Sequence, residues 1–309
     1  MENSIYHLNE ITMNRTSPDA ACNKIPEIMT GTEMSRFDGA FLCGMLQRNR
    51  PRKIVEVGVA SGGTTAIVMQ CMRDLDCSFE MYSVELLDYV HCAPEKKAGY
   101  IGEKAKELLE IKHHRLFTGK CLPEVVHEIG DGIDFLILDT THTLPGEVLD
   151  FLAAYPFLSP DAVVCMHDIR QNFKSTGTQL SIATNALFSA VAAEKYINED
   201  MKRTHGYPNI GAFQITGDTG KYITNIASCL MLPWKTTPNE EMIAVYLDAI
   251  CPQYGPEVEW ILRCAVSLNS DAVASIRSNS KNAQIAQPKK TRSAIMEQMK
   301  HKLFRSDRG

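Results

Sequence analysis

Short apolar runs and longer amphipathic segments alternate along the first two thirds of the chain. The apolar runs predict strands at residues 54–57, 79–84, 115–117, 133–138, 162–166 and 210–215. Positions spaced as on one helix face predict helices at residues 35–48, 64–73, 147–155 and 185–199, with a further helical stretch around residues 103–107. Strands that alternate with helices are typical of a mostly parallel sheet with helices on both faces. We therefore predict an α/β fold with a doubly wound sheet.

The pattern changes at both ends of this region, and the changes indicate domain boundaries. Residues 1–34 are polar and irregular, and we interpret them as an N-terminal lead to a domain that spans residues 35–217. Residues 218–270 form a helical extension of three predicted helices (219–231, 239–252 and 256–268), which prolines and a Gly-Pro pair separate. This extension either enlarges the core, which is the reading we favour, or forms a lid or a dimer surface.

Residues 271–309 form a basic tail that is rich in Ser, Asn and Lys at its start. Its last part places Ile295, Met299 and Leu303 on one face of a helix, with Lys and Arg around them. Such a helix can lie on an anionic membrane or contact a partner, whereas the simpler reading is a solvated tail. The expected location is cytoplasmic, with peripheral attachment to the inner face of a membrane as the second option.

The overall composition argues against several classes of protein. The chain of 309 residues is 44% hydrophobic and carries a net charge of −5, so that nucleic acid is not an expected partner. No apolar segment is long enough to cross a membrane, and the first residues show no secretory signal pattern. None of the ten cysteines forms a C-x-x-C pair, which is typical of reduced, buried thiols in a cytosolic protein.

The strongest chemical motif follows the first predicted strand. Residues 53–65 read KIVEVGVASGGTT, in which Glu56, Gly58 and Gly62 give the spacing E-x-G-x-x-x-G. A glycine-rich turn between a strand and a helix lets a ligand approach the backbone at the carboxyl edge of a parallel sheet. Turns of this kind also serve as plain connectors, and the spacing differs from the G-x-G-x-x-G of dinucleotide sites.

Ionisable residues follow three other predicted strands. Glu85 ends the run YSVE, where a carboxylate can accept hydrogen bonds from a ribose diol or simply face solvent. Asp139 and His142 follow IDFLIL, and His167 and Asp168 follow AVVCM. Since the carboxyl ends of parallel strands meet at one edge, the last four side chains should share a crevice. Carboxylate and imidazole groups suit Mg²⁺, Mn²⁺ or a similar ion, and a histidine with an unperturbed pKa of about 6.5 can act as a base.

Taken in order, the motifs EVGVASGGTT, YSVE, FTGKCLPEV, IDFLILDTTH and LSPDAVVCMHD resemble those of the class I S-adenosylmethionine-dependent methyltransferases. The likeness covers about residues 30–217 and is strongest to the O-methyltransferase branch that includes catechol and macrocin methyltransferases. It implies a Rossmann-like sheet with an antiparallel last strand, and S-adenosylmethionine as the cofactor. Because Trp234 and Trp260 both lie in the extension, we expect a hydroxyl on a sugar, glycan or small metabolite as the acceptor, rather than a flat phenol.

The resemblance also assigns roles to the motif residues. It implies cofactor contacts for the glycine-rich turn, the acid after the second strand and the turn after the third, which together comprise Glu56, Gly58, Ser61, Gly62, Thr64, Glu85, Gly119 and Lys120. It implies a divalent cation at Asp139, His167 and Asp168, and a base at His142. The pair His167-Asp168 departs from the two oxygen ligands of metal-dependent members, which leaves the metal open.

The predicted function is therefore methyl transfer from S-adenosylmethionine to oxygen. Two other classes stay open. One is a nicotinamide-dependent oxidoreductase on a similar sheet, which the absent G-x-G-x-x-G disfavours. The other is a methyltransferase-like module that binds without catalysis, which the intact Glu85, Asp139 and His142 disfavour. A homo-oligomer is among the assemblies to be expected.

Overall fold

The computed structural model describes residues 8–31, 34–170, 182–198, 208–235 and 237–285. The strands in this part of the chain are β1 (Leu8–Ile11), β2 (Lys53–Val57), β3 (Glu80–Glu85), β4 (Tyr89–Val90), β5 (Ala93–Lys97), β6 (His114–Thr118), β7 (Ile133–Leu138), β8 (Leu158–Met166), β9 (Glu194–Asn198) and β10 (Gly211–Gln214). The helices are α1 (Thr16–Lys24), α2 (Ile28–Gly31), α3 (Arg36–Asn49), α4 (Gly63–Asp74), α5 (Tyr100–Leu108), α6 (Leu122–Ile129), α7 (Gly146–Ala154), α8 (Ala183–Ala190), α9 (Gly217–Lys221), α10 (Ile223–Ser228), α11 (Glu240–Ile250) and α12 (Pro256–Ile285).

An eight-stranded sheet lies at the centre, in the order β1-β9-β10-β8-β7-β2-β3-β6. Its strands pair in parallel except for β10, which is antiparallel to both β8 and β9. The chain runs from β2 outward to β3 and β6, and it then returns to β7 on the other side of β2. The carboxyl ends of β2 and β7 therefore border a crevice of the kind in which α/β proteins bind ligands. This topology confirms the predicted Rossmann-like sheet with an antiparallel last strand.

Alternating side chains of the strands enter two separate cores. In β7, Phe135 and Ile137 pack with residues of α1, α3, α4 and α5. Leu136 and Leu138 point the other way and pack with residues of α6, α7, α8 and the C-terminal helices. Successive strand residues face opposite sides of a sheet, so a strand covered on both faces has to be apolar throughout. The continuous apolar run at residues 135–138 has this cause.

Two segments depart from the prediction. The supposedly irregular first residues contain β1, α1 and α2, and β1 pairs in parallel with β9 at the edge of the sheet. The second half of the helix predicted at residues 185–199 is the strand β9 instead, and Glu199 lies outside the described residues. The reason is tertiary, because Tyr196 and Ile197 are buried in opposite cores while β9 pairs with β1 and β10. Strand pairing and burial here outweigh the local helical spacing.

The C-terminal helices pack on the domain. Trp234, Tyr246 and Ile250 belong to the same core as Leu136 of β7, which agrees with an extension that enlarges the core. The chain divides into two units after Asn269, and the expected boundaries at residues 34 and 217 stay predictions. Helix α12 continues to Ile285, past its expected end at residue 268 and into residues expected to be loose. The amphipathic helix predicted at residues 294–305 lies outside the described residues.

Two further expectations concern membranes and cysteines. Within the described residues, we find no helix that combines the length and the apolar character needed to cross a membrane. All ten cysteines are free thiols and six of them are buried, as their unpaired spacing in the sequence predicted.

Candidate active site

A cavity of about 590 Å³ lies at the carboxyl ends of β2, β3 and β7. One side is formed by the turn after β2 and the residues after β3, and the middle by the loop after β7. The opposite side is formed by α7 and by extension residues on α11 and just before it. This is the position at which the reversal of strand order predicts a ligand.

The turn after β2 comes very close to the loop after β7 at Gly58. This residue has a φ of +87°, and a Cβ atom on it would collide with the backbone carbonyl of Asp139. Only glycine satisfies both the left-handed backbone and the close approach. Gly58, Ser61 and Thr64 all line the cavity, and their contact with a cofactor stays a prediction.

Glu85 holds this turn in place. Its Oε2 atom accepts hydrogen bonds from the backbone N–H groups of Val59 (2.8 Å) and Ala60 (2.9 Å), and its Oε1 atom accepts one from Leu87 (3.1 Å). The same residue lines the cavity. A carboxylate offers about four acceptor positions, so Glu85 can brace the turn and still accept from a ribose hydroxyl. The sequence indicated only the second of these roles.

Glu56 lies behind the turn and does not line the cavity. It is fully buried, and its Oε2 atom accepts hydrogen bonds from the hydroxyls of Thr65 (2.6 Å) and Ser83 (2.8 Å). Burial raises the pKa of Glu56 to about 7. This acid therefore ties α4 and β3 to β2, and the structure gives it no direct path to a ligand in the cavity.

Gly62 and Gly119 also lie beside the cavity and do not line it. Gly62 caps the start of α4 with a φ of +85°, and a Cβ atom there would come within 2.6 Å of the backbone nitrogen of Gly102 in α5. Gly119 has a φ of +67°, and a Cβ atom there would lie 3.0 Å from the carboxylate of Asp88. Both glycines thus satisfy requirements of backbone conformation and packing near the expected cofactor position.

Two basic residues line the cavity on the side of β3 and β6. Lys120 pairs with Glu124 at 2.8 Å, and its side chain is half exposed. His91 lies in the turn of the hairpin formed by β4 and β5, and the sequence pattern did not predict this hairpin. The hairpin follows β3, so its turn can reach the same edge of the sheet as Glu85.

Asp139, His142 and Asp168 form the ionisable centre of the site. One ligand atom of each lies within 4.8 Å of the other two. The Nε2 atom of His142 is 3.7 Å from Oδ1 of Asp139 and 3.4 Å from Oδ2 of Asp168. Two carboxylates and an imidazole suit a divalent cation. The residues present therefore fit such an ion, and His142 supplies the imidazole that the sequence assigned to His167.

Two residues of this centre have a left-handed backbone. The φ angles are +57° at His142 and +55° at Asp168. A carboxylate oxygen of Glu147 accepts the backbone N–H of His142 at 2.6 Å, and the hydroxyl of Thr184 donates to the carbonyl of Asp168 at 2.9 Å. Left-handed non-glycine residues are uncommon and cluster at functional sites, where surrounding contacts hold them.

The neighbours of His142 favour its protonated form. Burial alone would lower the pKa of His142, but the hydrogen bond to Glu147 and the charges of Glu147, Asp139 and Asp168 outweigh burial and raise this pKa to about 9. The imidazole therefore carries a proton at neutral pH in this arrangement, contrary to the expected value of about 6.5. It can accept a proton from a substrate only after some of this negative charge is compensated.

His167 lies behind Asp139, away from the cavity. Its Nδ1 atom is 3.4 Å from Oδ2 of Asp139, and its Nε2 atom is 3.4 Å from Oδ2 of Asp38 in α3. Burial would lower the pKa of His167, but the charges and hydrogen bonds of these carboxylates raise it well above its usual value. Because both ring nitrogens already face protein carboxylates, His167 is placed to orient Asp139 rather than to hold a cation in the cavity.

Besides His91, sequence reasoning missed four ionisable residues of the site. Asp38 had a weak signal, since it follows the capping residue Ser35 by three positions at the start of α3. Glu147 and Asp150 are two acids one turn apart in the otherwise apolar helix GEVLDFLAA, which was a signal for a buried polar site. Tyr246 of α11 had none, because only the packing of the extension on α7 brings it to the cavity.

Residues 55–169 match the family model of a methyltransferase domain. No curated protein matches the chain. Among solved structures, the chain is similar to the O-methyltransferase TomG from Streptomyces achromogenes in complex with SAM, with 12% identity over 67% of this chain and 92% of that one and a TM-score of 0.42. It is also similar to an O-methyltransferase from Bacillus cereus in complex with SAH (16% identity, 64% and 90% covered, TM-score 0.42). The SAH-bound methyltransferase PaMTH1 from Podospora anserina is a third (12% identity, 72% and 81% covered, TM-score 0.39).

The residues matched by the family model run from β2 to the turn after β8. They contain the glycine-rich turn, Glu85, and the acids Asp139 and Asp168 of the ionisable centre. The match agrees with the resemblance of the sequence motifs, and the sheet is mostly parallel with an antiparallel last strand, as the resemblance implied. Together they identify residues 55–169 as a methyltransferase domain with a Rossmann-like fold.

Proposed function

We propose that the chain transfers a methyl group from S-adenosylmethionine to an oxygen atom of an acceptor. The observation that carries this proposal is one continuous cavity that extends from Gly58 and Glu85 to Asp139 and His142. A nucleotide-like ligand on one side and an acceptor on the other would share a single space. Direct transfer between two bound molecules requires this arrangement.

The cofactor side of the cavity fits S-adenosylmethionine. Gly58 leaves the backbone of the turn open to the methionine part, and Ser61 lies in the same turn. Glu85 keeps acceptor capacity for the ribose hydroxyls while it braces the turn. Lys120 lies at the end expected for the adenine.

The reaction is an in-line displacement. The acceptor oxygen forms a bond to the methyl carbon while the bond from that carbon to sulfur breaks, and the electron pair returns to sulfur to give S-adenosylhomocysteine. We assign His142, in its neutral form, as the base that takes the hydroxyl proton, because it lines the cavity next to Asp139. The acceptor is a hydroxyl group on a sugar, glycan or small metabolite.

A divalent cation is part of the proposal. Asp139 and Asp168 would hold it, and when bound it would stabilise the negative charge that develops on the acceptor oxygen. Its charge would also offset two of the carboxylates that keep His142 protonated. A role of His142 as the third ligand is the alternative, because its Nε2 atom belongs to the same cluster.

The two other classes have less support. A nicotinamide-dependent oxidoreductase lacks its fingerprint here, and the family model that matches is that of a methyltransferase. A module that binds without catalysis would have no need of the charged centre around His142. Turnover measurements separate this last class from an enzyme.

Incubation with S-adenosylmethionine that carries a labelled methyl group, together with a panel of sugars, glycans and hydroxylated metabolites, tests the proposal. We expect labelled methyl ethers and an equal amount of S-adenosylhomocysteine. Activity should fall with a chelator and return with Mg²⁺ or Mn²⁺. Label found only on nitrogen or sulfur would contradict transfer to oxygen, and full activity in excess chelator would remove the cation from the mechanism.

A further inference from the structure

The cavity wall opposite the glycine-rich turn has no part in the chemistry proposed above. Helix α7 contributes Leu149 and Asp150 to it, and the extension contributes Pro238, Met242 and Tyr246. Three of these five side chains are apolar, and the two polar ones are bonded to each other. A molecule bound next to the cofactor would therefore meet an apolar surface with one polar anchor.

The polar anchor is a buried carboxyl group in a fixed position. The hydroxyl of Tyr246 donates to Oδ1 of Asp150 at 2.5 Å, and the hydroxyl of Thr140 donates to Oδ2 at 3.5 Å. Asp150 is 4% exposed and Tyr246 is 7% exposed. Burial raises the pKa of Asp150 to about 7. Since Thr140 follows Asp139 in the loop after β7, the anchor lies on the same side of the cavity as the ionisable centre.

Within the part of the chain that the structure describes, no cation balances this carboxyl group. Among the described residues, no lysine, arginine or histidine pairs with Asp150. Glu147, one turn earlier on α7, is fully buried, does not line the cavity and lies 3.4 Å from Nδ1 of His142, so that this imidazole is not free to balance Asp150. The buried hydroxyl of Thr237, which lines the same wall, lacks a hydrogen-bond partner within the described residues. Buried carboxylates are costly unless a cation or several donors accompany them, so this wall is suited to a ligand that brings both.

We propose that Asp150, held by Tyr246, binds a protonated amino group of the methyl acceptor. An ammonium group supplies a positive charge and up to three donors, and its hydrogen bonds to a carboxylate are charge-assisted. The carbon skeleton of the acceptor would contact Leu149 and Met242. The acceptor class is then an amino alcohol, of which an amino sugar is one form. This inference rests on the proposed function, because it names the acceptor of that reaction.

A pair of small probes tests the inference without knowledge of the natural acceptor. The probes are trans-2-aminocyclohexanol and trans-1,2-cyclohexanediol, which share a ring and one hydroxyl and differ in the ammonium group. Their binding is measured by ligand-detected NMR in the presence of S-adenosylhomocysteine. We expect the amino alcohol to bind at least about tenfold more tightly than the diol, the usual effect of a charge-assisted hydrogen bond.

Variants locate the effect. Asp150→Asn keeps the shape of the side chain and should abolish the preference for the amino alcohol. Tyr246→Phe keeps the ring and should reduce the preference, because the carboxylate loses the contact that fixes it. Asp161→Asn is the matched control, since this acid is exposed near the start of β8, and it should leave the preference unchanged.

Measurements on the wild-type protein alone can overturn the inference. Equal binding of the two probes, or no binding of the amino alcohol, would do so. An unchanged preference in Asp150→Asn would also overturn it. A separate titration with S-adenosylhomocysteine shows whether the proposed methyl transfer fails as well, or whether only the ammonium site at Asp150 is wrong. If S-adenosylhomocysteine does not bind, the proposed reaction fails, whereas the probe comparison in its absence still reports on Asp150.

Discussion

At the scale of single residues, the chemistry of the site depends on how neighbouring carboxylates set the charge of two histidines. His142 lies among Asp139, Glu147 and Asp168, and His167 lies close to Asp38 and Asp139. Burial opposes a charged imidazole at both positions, and in both the carboxylates prevail. The two histidines differ in access, because only His142 lines the cavity. This difference decides which of them is tested as the base.

Replacement of His142 by Ala should lower turnover by about 10²–10⁴-fold, the usual share of general-base catalysis. The affinity for S-adenosylhomocysteine should change little, because the ring is not expected to touch the adenosyl part. Steady-state kinetics and calorimetry measure the two quantities, with His113→Ala as a control at an exposed histidine. Lost binding would make His142 a cofactor contact. Unchanged turnover would exclude His142 as the base.

Glu56 should make the free energy of unfolding depend on pH. Its pKa is about 7 in the folded chain and has an ordinary value of 4.5, so the folded state binds more protons than the unfolded state between these values. Stability should therefore fall as the pH rises through this window, by about 3 kcal/mol for this group alone. Glu56→Gln should lose this dependence, whereas Glu107→Gln, at an exposed acid, should keep it. Urea denaturation at pH 5 and at pH 8 measures this change in the free energy of unfolding. An equal change with pH in Glu56→Gln and in the wild type would contradict the role of the buried acid.

Sequence reasoning predicted several of the residues that line the cavity, but it did not predict the contacts that hold them. Gly58, Glu85, Asp139 and His142 could be predicted because each ends or follows a strand, and strand ends mark the ligand edge of such a sheet. The hydrogen bonds that the turn after β2 donates to the carboxylate of Glu85 could not be predicted, since they join residues far apart in sequence. The same holds for the contact between His167 and Asp38, which depends on how α3 packs.

At the scale of elements, the start of α4 shows how packing fixes the glycine-rich turn. Gly62 has a left-handed backbone, and it also touches the backbone of α5 near Gly99 and Gly102. The sequence interpretation gave Gly62 to the cofactor. In the structure, its missing side chain lets two helices approach each other beside the cofactor side of the cavity.

The variant Gly62→Ala separates the two requirements. It should reduce the free energy of unfolding through both the left-handed backbone and the collision with Gly102. Gly132→Ala is the matched control, because Gly132 has a φ of +79° and open space around it. We expect Gly132→Ala to lower the free energy of unfolding by about 1–2 kcal/mol, the effect of the left-handed backbone alone. Gly62→Ala should lower it by roughly 1–3 kcal/mol more than that, because of the collision with α5. Equal losses in urea denaturation would show that α5 adapts without cost.

Strand β9 shows where element prediction from local pattern fails. Residues 194–198 continue a helical spacing that begins in α8, yet they pair with β1 on one side and β10 on the other. The sequence of this segment gives no sign that it pairs with β1. That strand comes from residues 8–11, for which the sequence pattern predicted no regular structure. Non-local pairing of this kind has no signature in the period of a single segment.

At the scale of the whole molecule, the C-terminal helices are part of the domain that carries the site. Trp234 is 3% exposed, and its backbone and indole N–H groups donate to Asn269 and Leu230. Tyr246 and Met242 complete the cavity wall. The extension therefore packs into the core and also forms part of the cavity wall.

The two tryptophans of the extension test this integration. Trp234→Ala should lower the free energy of unfolding by about 3–5 kcal/mol, as expected for a large side chain removed from a core. Trp260→Ala is the control, since Trp260 is 64% exposed and its loss should change stability by less than about 0.5 kcal/mol. Urea denaturation measures both. If Trp234→Ala changes the free energy of unfolding as little as Trp260→Ala does, the extension does not contribute to the stability of the core.

Calorimetric titration with S-adenosylhomocysteine tests whether the cavity binds S-adenosylmethionine, on which the proposed reaction depends. We expect saturable binding to one site per chain. Glu85→Ala should weaken it by roughly tenfold or more, because the ribose contact and the brace on the turn are lost together. Glu85→Gln keeps one oxygen for the brace and should lose less. Absence of binding to the folded wild-type protein, or an unchanged affinity in Glu85→Ala, would contradict the account.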